Sequence, residues 1–81
     1  MKVKVRAYAT LRRYLPDVPL GRSVELELPE GSTVGDAVDL LGIPRSEAKV
    51  CLVDSLQRDL GHRLEEGDAV VLFPPVGGGN V

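Results

Sequence analysis

The chain has a single cysteine, Cys51, a single histidine, His62, no tryptophan and only three aromatic side chains, Tyr8, Tyr14 and Phe73. One cysteine excludes an intramolecular disulfide framework. One histidine leaves a protein-only zinc site without its usual ligand set. Charge of one sign is also scarce in excess: 10 basic against 12 acidic side chains leave a net −2, whereas a dedicated nucleic-acid binder is usually strongly basic. No apolar stretch approaches the roughly 20 residues of a membrane span. The opening Met1-Lys2-Val3-Lys4-Val5 alternates and lacks the continuous apolar core of a signal peptide. These absences lead to the expectation of a soluble cytoplasmic protein with no metal, no nucleic-acid partner and no membrane partner.

What is present fits one small domain. With 81 residues, 43% of them apolar and 27% charged, the composition is globular. A chain of this length buries only about 60–65% of its unfolded surface and holds one thin core. Composition shifts only near the end, where Gly77-Gly78-Gly79 follow Pro74-Pro75-Val76. The expected organisation is a domain over residues 1–73 and a flexible tail over 74–81.

Residues 2–8 alternate, with Val3, Val5 and Ala7 on one side and Lys2, Lys4, Arg6 and Tyr8 on the other, the period of a strand with one buried face. Thr10 is placed to cap a short helix carrying Leu11 and Leu15, ended by Pro16. Residues 23–28 alternate again, Val24, Leu26 and Leu28 inward and Ser23, Glu25 and Glu27 outward. Basic outward positions on one strand and acidic ones on the next suit an antiparallel pair. After the turn at Pro29-Glu30-Gly31, Ser32 or Thr33 is placed to cap a helix, and Thr33 with Asp36 forms a shortened capping box. Val34, Ala37, Val38 and Leu41 then share one helical face. Gly42 is placed to end this helix and Pro44 to prevent its continuation, and residues 46–49 read as a short helical turn. The apolar run of residues 50–53 reads as a strand covered on both faces, residues 55–62 leave room for a short edge strand, and residues 65–68 form a turn. Residues 69–73 form a last strand stopped by Pro74-Pro75. This order predicts an α+β fold, a mixed sheet with one main helix packed on one face, the first and last strands side by side in its middle.

Ordinary catalytic constellations are missing. Glu25 and Glu27 fall on a solvated strand face and Glu65 and Glu66 in a turn, positions where charge simply faces water. Cys51 lies within Val50-Cys51-Leu52-Val53 and reads as a small core hydrophobe, because a reactive thiol needs exposure and an electropositive setting. The tail glycines have no helix after them and form no phosphate-binding loop. Their use is reach. Six extended residues, 74–79, span at most about 20 Å, the prolines stiffen the exit from the sheet, and glycines pass through a channel too narrow for side chains. A terminal glycine would offer an unhindered carboxylate to an adenylating enzyme.

The segment from Leu64 through Gly67-Asp68 and the apolar strand to Phe73-Pro74-Pro75-Val76-Gly77-Gly78 resembles the C-terminal signature of MoaD/ThiS-type sulfur carrier proteins. Val5-Arg6-Ala7-Tyr8-Ala9-Thr10-Leu11-Arg12 and Gly31-Ser32-Thr33-Val34-Gly35-Asp36-Ala37 resemble the family's first strand and the start of its main helix. Phe73-Pro74-Pro75-Val76 places the likeness nearer the MoaD branch, although the short middle at Gly42-Ile43-Pro44-Arg45 has ThiS-like proportions. The Val-Asn-Gly turn common in the family is Val53-Asp54-Ser55 here. The resemblance implies a ubiquitin-like β-grasp fold and a carrier that is not itself an enzyme, or that serves as the small subunit of a molybdopterin synthase. It implies a ubiquitin-activating-type adenylyltransferase as partner, which uses ATP to adenylate the terminal glycine. No cofactor is held by the carrier. A thiocarboxylate then donates sulfur, with the large subunit of molybdopterin synthase or another sulfur acceptor as second partner. In this sequence the pair aligned with the family's Gly-Gly end is Gly78-Gly79, followed by Asn80-Val81. The expectation is therefore removal of Asn80-Val81 and chemistry at the carboxyl group of Gly79. Alternatives are a carrier for thiamin or tRNA thiolation, a protein conjugator, or a β-grasp interaction module without carrier chemistry.

In residues 69–73 both alternating sets are apolar. With Val70 and Leu72 facing the core, Val71 and Phe73 are left on the far face, beside Arg6 and Tyr8 of the first strand's outward set. An apolar pair next to a functional tail marks the expected partner-docking surface.

Overall fold

The computed structural model describes residues 1–15, 18 and 21–75. Five strands form one sheet: β1 (Lys2–Ala7), β2 (Val24–Glu27), β3 (Val50–Val53), β4 (Leu56–Arg58) and β5 (Ala69–Phe73). Their order across the sheet is β2-β1-β5-β3-β4. β1 and β5 run parallel at the centre, and the other pairings are antiparallel. Among the described residues the one α-helix, α1 (Val34–Leu40), packs on one face, and short 3₁₀ turns occupy Ala9–Tyr14 and Arg45–Glu47.

The expected architecture is observed, with β1 and β5 adjacent in the middle. Alternation in β1 is strict: Lys2, Lys4 and Arg6 are exposed and Val3, Val5 and Ala7 buried. The antiparallel register sets Lys2 opposite Glu27 and Lys4 opposite Glu25, the cross-strand charge complement that the two sequences imply. On the other side of the sheet, Val3, Val5, Val70, Leu72, Val34, Ala37 and Val38 form a core with Leu11, Ile43, Cys51 and Leu64.

α1 begins with the predicted capping box. The Asp36 N–H donates to Thr33 Oγ1 at 3.2 Å and the Thr33 N–H donates to Asp36 Oδ2 at 2.8 Å. At the other end Gly42 adopts φ +76°. Its N–H donates to the Asp39 carbonyl at 3.0 Å and that of Ile43 to the Val38 carbonyl at 3.1 Å. This is a Schellman ending, with glycine in the left-handed position. The Arg45–Glu47 turn is tied back to the helix by a bidentate pair, Arg45 Nε and Nη2 to the Asp39 carboxylate at 3.1 and 2.9 Å. Hydrogen bonding to Arg45 holds the Asp39 carboxyl below its ordinary pKa.

Two expectations are corrected. Thr10 caps nothing. The 3₁₀ turn starts at Ala9 with Tyr8 at the N-cap and no side-chain cap bond; Thr10 lies inside the turn, past the Tyr8 carbonyl that accepts the Leu11 N–H at 3.2 Å, and so is not at the flanking position from which a hydroxyl caps. The chain then pivots at Ala9, whose φ is +55°. Secondly, β3 is not covered on both faces: Cys51 and Val53 are buried, but Val50 and Leu52 are half-exposed, since α1 covers only one side of the sheet. Beyond Pro75, the tail expectations for Val76, Gly77, Gly78, Gly79, Asn80 and Val81 lie outside the described residues, as does Pro16.

Candidate docking face and tail exit

The pairing register builds the bare sheet face as rows. Arg6 is the partner of Val71 across β1/β5, and Leu52 is the partner of Val71 across β3/β5. One step further along, Val50 pairs with Phe73, and Tyr8 follows Ala7, the partner of Leu72. One step back, Lys4 pairs with Ala69, whose other neighbour is Asp54: the Asp54 N–H donates to the Ala69 carbonyl at 2.9 Å and the Ala69 N–H to Asp54 Oδ1 at 3.1 Å. Because side chains in a sheet alternate, Lys4, Arg6, Tyr8, Val50, Leu52, Ala69, Val71 and Phe73 share the face opposite α1, while Ala7 and Leu72 point into the core.

The predicted residues Arg6, Tyr8, Val71 and Phe73 therefore come together. Val71, Phe73 and Tyr8 are half-buried and Arg6 is exposed. The Tyr8 and Phe73 rings stack with centroids 5.2 Å apart and planes 12° from parallel. Two of the chain's three aromatic side chains thus lie together outside the core, at the end where β5 releases the chain. Aromatic stacking of this kind contributes about 0.5–1.5 kcal/mol beyond area burial. Pro74 is half-buried and Pro75 exposed, so the chain leaves the sheet beside this stack. Glycine-tail residues Val76 to Gly79, the remaining expected site positions, lie outside the described residues.

Sequence reasoning missed Val50 and Leu52 as members of the face, because a four-residue apolar run carries no sign of which side is covered. It also missed a shallow concavity of about 250 Å³ beside Val71, lined by Lys4, Arg6, Ser23, Asp54, Ser55 and Ala69. One signal for it was in the sequence. Counting the antiparallel register from Lys2/Glu27 and Lys4/Glu25 leaves Arg6 opposite Ser23 rather than an acid.

The other candidate groups have structural roles. Cys51 is buried, its Sγ 3.5 Å from the Ala48 carbonyl. Burial, with the Asp59 charge second, pushes its thiol pKa up, so it remains a neutral core side chain. Glu66 Oε1 accepts the Lys2 N–H at 2.9 Å, and the Glu65 N–H donates to Asp68 Oδ2 at 2.8 Å within the last turn. Among the described residues no cluster of three or more His, Cys, Asp or Glu is arranged to hold a metal ion, and no helix is long and apolar enough to cross a membrane.

Comparison with known proteins gives one consistent picture. Residues 1–77 match the family model of the Mut7-C ubiquitin domain. A protein of uncharacterised function from Archaeoglobus fulgidus is 36% identical over a 92-residue alignment spanning 98% of this chain and all of that one. Among solved structures, SAMP1 from Haloferax volcanii is 27% identical with a TM-score of 0.73, covering 98% of this chain and 100% of its own. A protein assigned as molybdopterin converting factor, subunit 1, from Pyrococcus furiosus is 28% identical with a TM-score of 0.71, covering 94% and 99%. The sheet order, the single helix and these neighbours together make the fold a ubiquitin-like β-grasp, of the MoaD-like kind that the sequence resembles.

Proposed function

Because the chain belongs to the Mut7-C ubiquitin family, we propose that it is a small carrier protein whose domain over residues 1–73 presents the 74–81 tail to an activating enzyme. In this reading hydrolysis of the Gly79–Asn80 bond frees a Gly79 carboxylate. A ubiquitin-activating-type adenylyltransferase joins that carboxylate to the α-phosphorus of ATP, and pyrophosphate leaves. A sulfur donor then displaces AMP and leaves a thiocarboxylate on Gly79. The carrier contributes position and an acyl end rather than a catalytic side chain, and binds no cofactor of its own. Gly77 and Gly78 give the reach, Pro74 and Pro75 set the exit, and the whole sequence of steps takes place in the cytoplasm. The acceptor that fits best is the large subunit of molybdopterin synthase, in molybdopterin or tungstopterin formation, the relative from Pyrococcus furiosus being assigned to that chemistry.

The observation that carries the reading is the pairing of tail exit and bare face. β5 ends at Phe73 beside a half-buried apolar surface of Tyr8, Val71 and Leu52. A protein partner covering that surface would hold the tail at a fixed start point. A second reading, attachment of Gly79 to protein amines, shares the adenylation step and is favoured by the likeness to SAMP1, a small archaeal modifier protein. Intact mass of the protein recovered from its own host tests the scheme. The expected species lacks Asn80 and Val81, with a fraction bearing sulfur in place of one oxygen. Universal retention of Val81, together with failure of a chain ending at Gly79 to be adenylated by the host's activating enzymes, would leave an interaction module in its place.

A further inference from the structure

We infer that Arg6, assisted by Lys4 and Ser23, forms a notch that receives a carboxylate side chain from a protein partner docking on the bare sheet face. The identity of that partner rests on the carrier reading above; the notch rests on separate observations.

The first is a mismatch in the charge ladder. Lys2 and Lys4 each have a glutamate opposite on β2, Glu27 and Glu25. Val5 pairs with Val24, so the next outward position across from Arg6 is Ser23. Among the described residues none of Lys2, Lys4 and Arg6 closes an ion pair, but Arg6 alone of the three has no acid opposite. A guanidinium is always charged and presents a planar fork that matches a carboxylate bidentately.

The second is shape. Arg6 lines the concavity of about 250 Å³ together with Lys4, Ser23, Ala69 and Val71. That volume falls below the roughly 300–1,000 Å³ of small-molecule sites, and it suits one inserted side chain. One acidic group, Asp54, lines it, and a second, Glu25, stands nearby on β2. Glu25 stands opposite Lys4, and Asp54 has one carboxylate oxygen engaged by the Ala69 N–H. Neither is registered with Arg6. The third is the surround: half-buried Val71 is the partner of Arg6, and half-buried Leu52 lies beyond Val71 in the same row. An acid flanked by apolar residues therefore complements the site. A polyanion does not, since Glu25, Glu27 and Asp54 on the same side of the sheet would repel an extended phosphate backbone.

The test has two arms. In the first, the isotope-labelled full chain is titrated with a blocked Leu-Glu-Leu peptide and with its Leu-Gln-Leu counterpart, observing backbone amides and the Arg6 side-chain Nε–H. The glutamate peptide should shift Arg6, Ser23 and Val71 together, and the glutamine peptide or the Arg6→Gln protein should show at least about tenfold weaker binding. Equal shifts by both peptides, no shift at Arg6, or tighter binding of a single-stranded oligonucleotide at the same residues would overturn the notch. In the second arm, the host adenylyltransferase is assayed with chains ending at Gly79. Arg6→Glu should raise KM for the carrier by at least about tenfold, leave kcat unchanged and flatten the salt dependence of binding. An unchanged KM with normal adenylation of the parent chain overturns the notch and spares the carrier reading. Failure to adenylate the parent chain overturns the carrier reading and leaves the peptide titration to decide the notch.

Discussion

The two faces of the sheet are built from the same kinds of side chain and end in different states. Val70 and Leu72 on the helix side are 1% and 0% exposed, while Val71 and Phe73, their immediate neighbours in β5, are half-exposed on the other. Hydropathy alone does not separate the two pairs. What separates them is α1, whose Val34, Ala37 and Val38 close one side, while among the described residues no second layer covers the other. A surface of Tyr8, Leu52, Val71 and Phe73 is then an apolar area kept at a cost in solubility, which is the property expected of a partner footprint.

The sharpest way to break this comparison is to truncate neighbouring residues across the sheet plane. Leu72→Ala removes a side chain packed in the core and should cost about 2–5 kcal/mol, read as a lower urea midpoint. Val71→Ala should stay within about 1 kcal/mol of the parent. Equal losses would mean that the bare face is as well packed as the covered one. A charge sharpens the same contrast. Val71→Asp should leave the far-ultraviolet dichroism and cooperative unfolding intact while weakening binding to an activating enzyme by about tenfold or more. Unfolding by that substitution would return Val71 to the core and remove the docking face.

A smaller effect separates the start of the covering layer from its interior. Thr33→Ala deletes the hydroxyl that accepts the Asp36 N–H and should cost about 1 kcal/mol, shifting the thermal midpoint by roughly 4–8 °C in a domain of this size. Asp36→Asn retains an acceptor and should cost less. If instead Thr33→Ala costs nothing and Asp36→Asn carries the loss, the stabilisation comes from the negative charge near the helix start and not from the box.

Most of this layout was legible in the sequence because its signals are local and periodic. The alternation of Val3, Val5 and Ala7, the Thr33/Asp36 box and the Gly42 stop each need only a few neighbouring residues, and each is found in place. The antiparallel β1/β2 pair was legible from opposite charges. Less legible was anything that depends on what lies above a surface. The run Val50-Cys51-Leu52-Val53 looks equally apolar whether one or both sides are covered, and only the absence of a second layer turned Val50 and Leu52 into members of the candidate site. Thr10 misled for a related reason: a good capping residue is idle when the turn begins one residue too early, at Ala9, and leaves Tyr8 at the cap. The concavity at Arg6 joins residues from four separate segments, and only the register of the sheet brings them together.

The smallest predicted effect concerns two turns built to opposite standards. α1 ends on Gly42, a residue suited to its positive φ. The β3–β4 hairpin instead turns on Asp54 and Ser55, with φ of +50° and +73°. Both central residues of this two-residue loop are left-handed, the geometry that favours Asn-Gly or Asp-Gly. A non-glycine residue there costs roughly 1–2 kcal/mol, less for Asp, which tolerates the region. Ser55→Gly relieves that strain but adds freedom to the unfolded chain, an offset of about 0.4–1 kcal/mol, so the expected net gain is about 0.5–1 kcal/mol and a thermal midpoint higher by a few degrees. Asp54→Gly should not repeat the gain, because it also removes the carboxylate oxygen that accepts the Ala69 N–H at 3.1 Å. Unfolding curves of the two variants decide the matter: if Asp54→Gly stabilises as much as Ser55→Gly, the Asp54 bond to β5 contributes nothing and the hairpin is held by its backbone ladder alone.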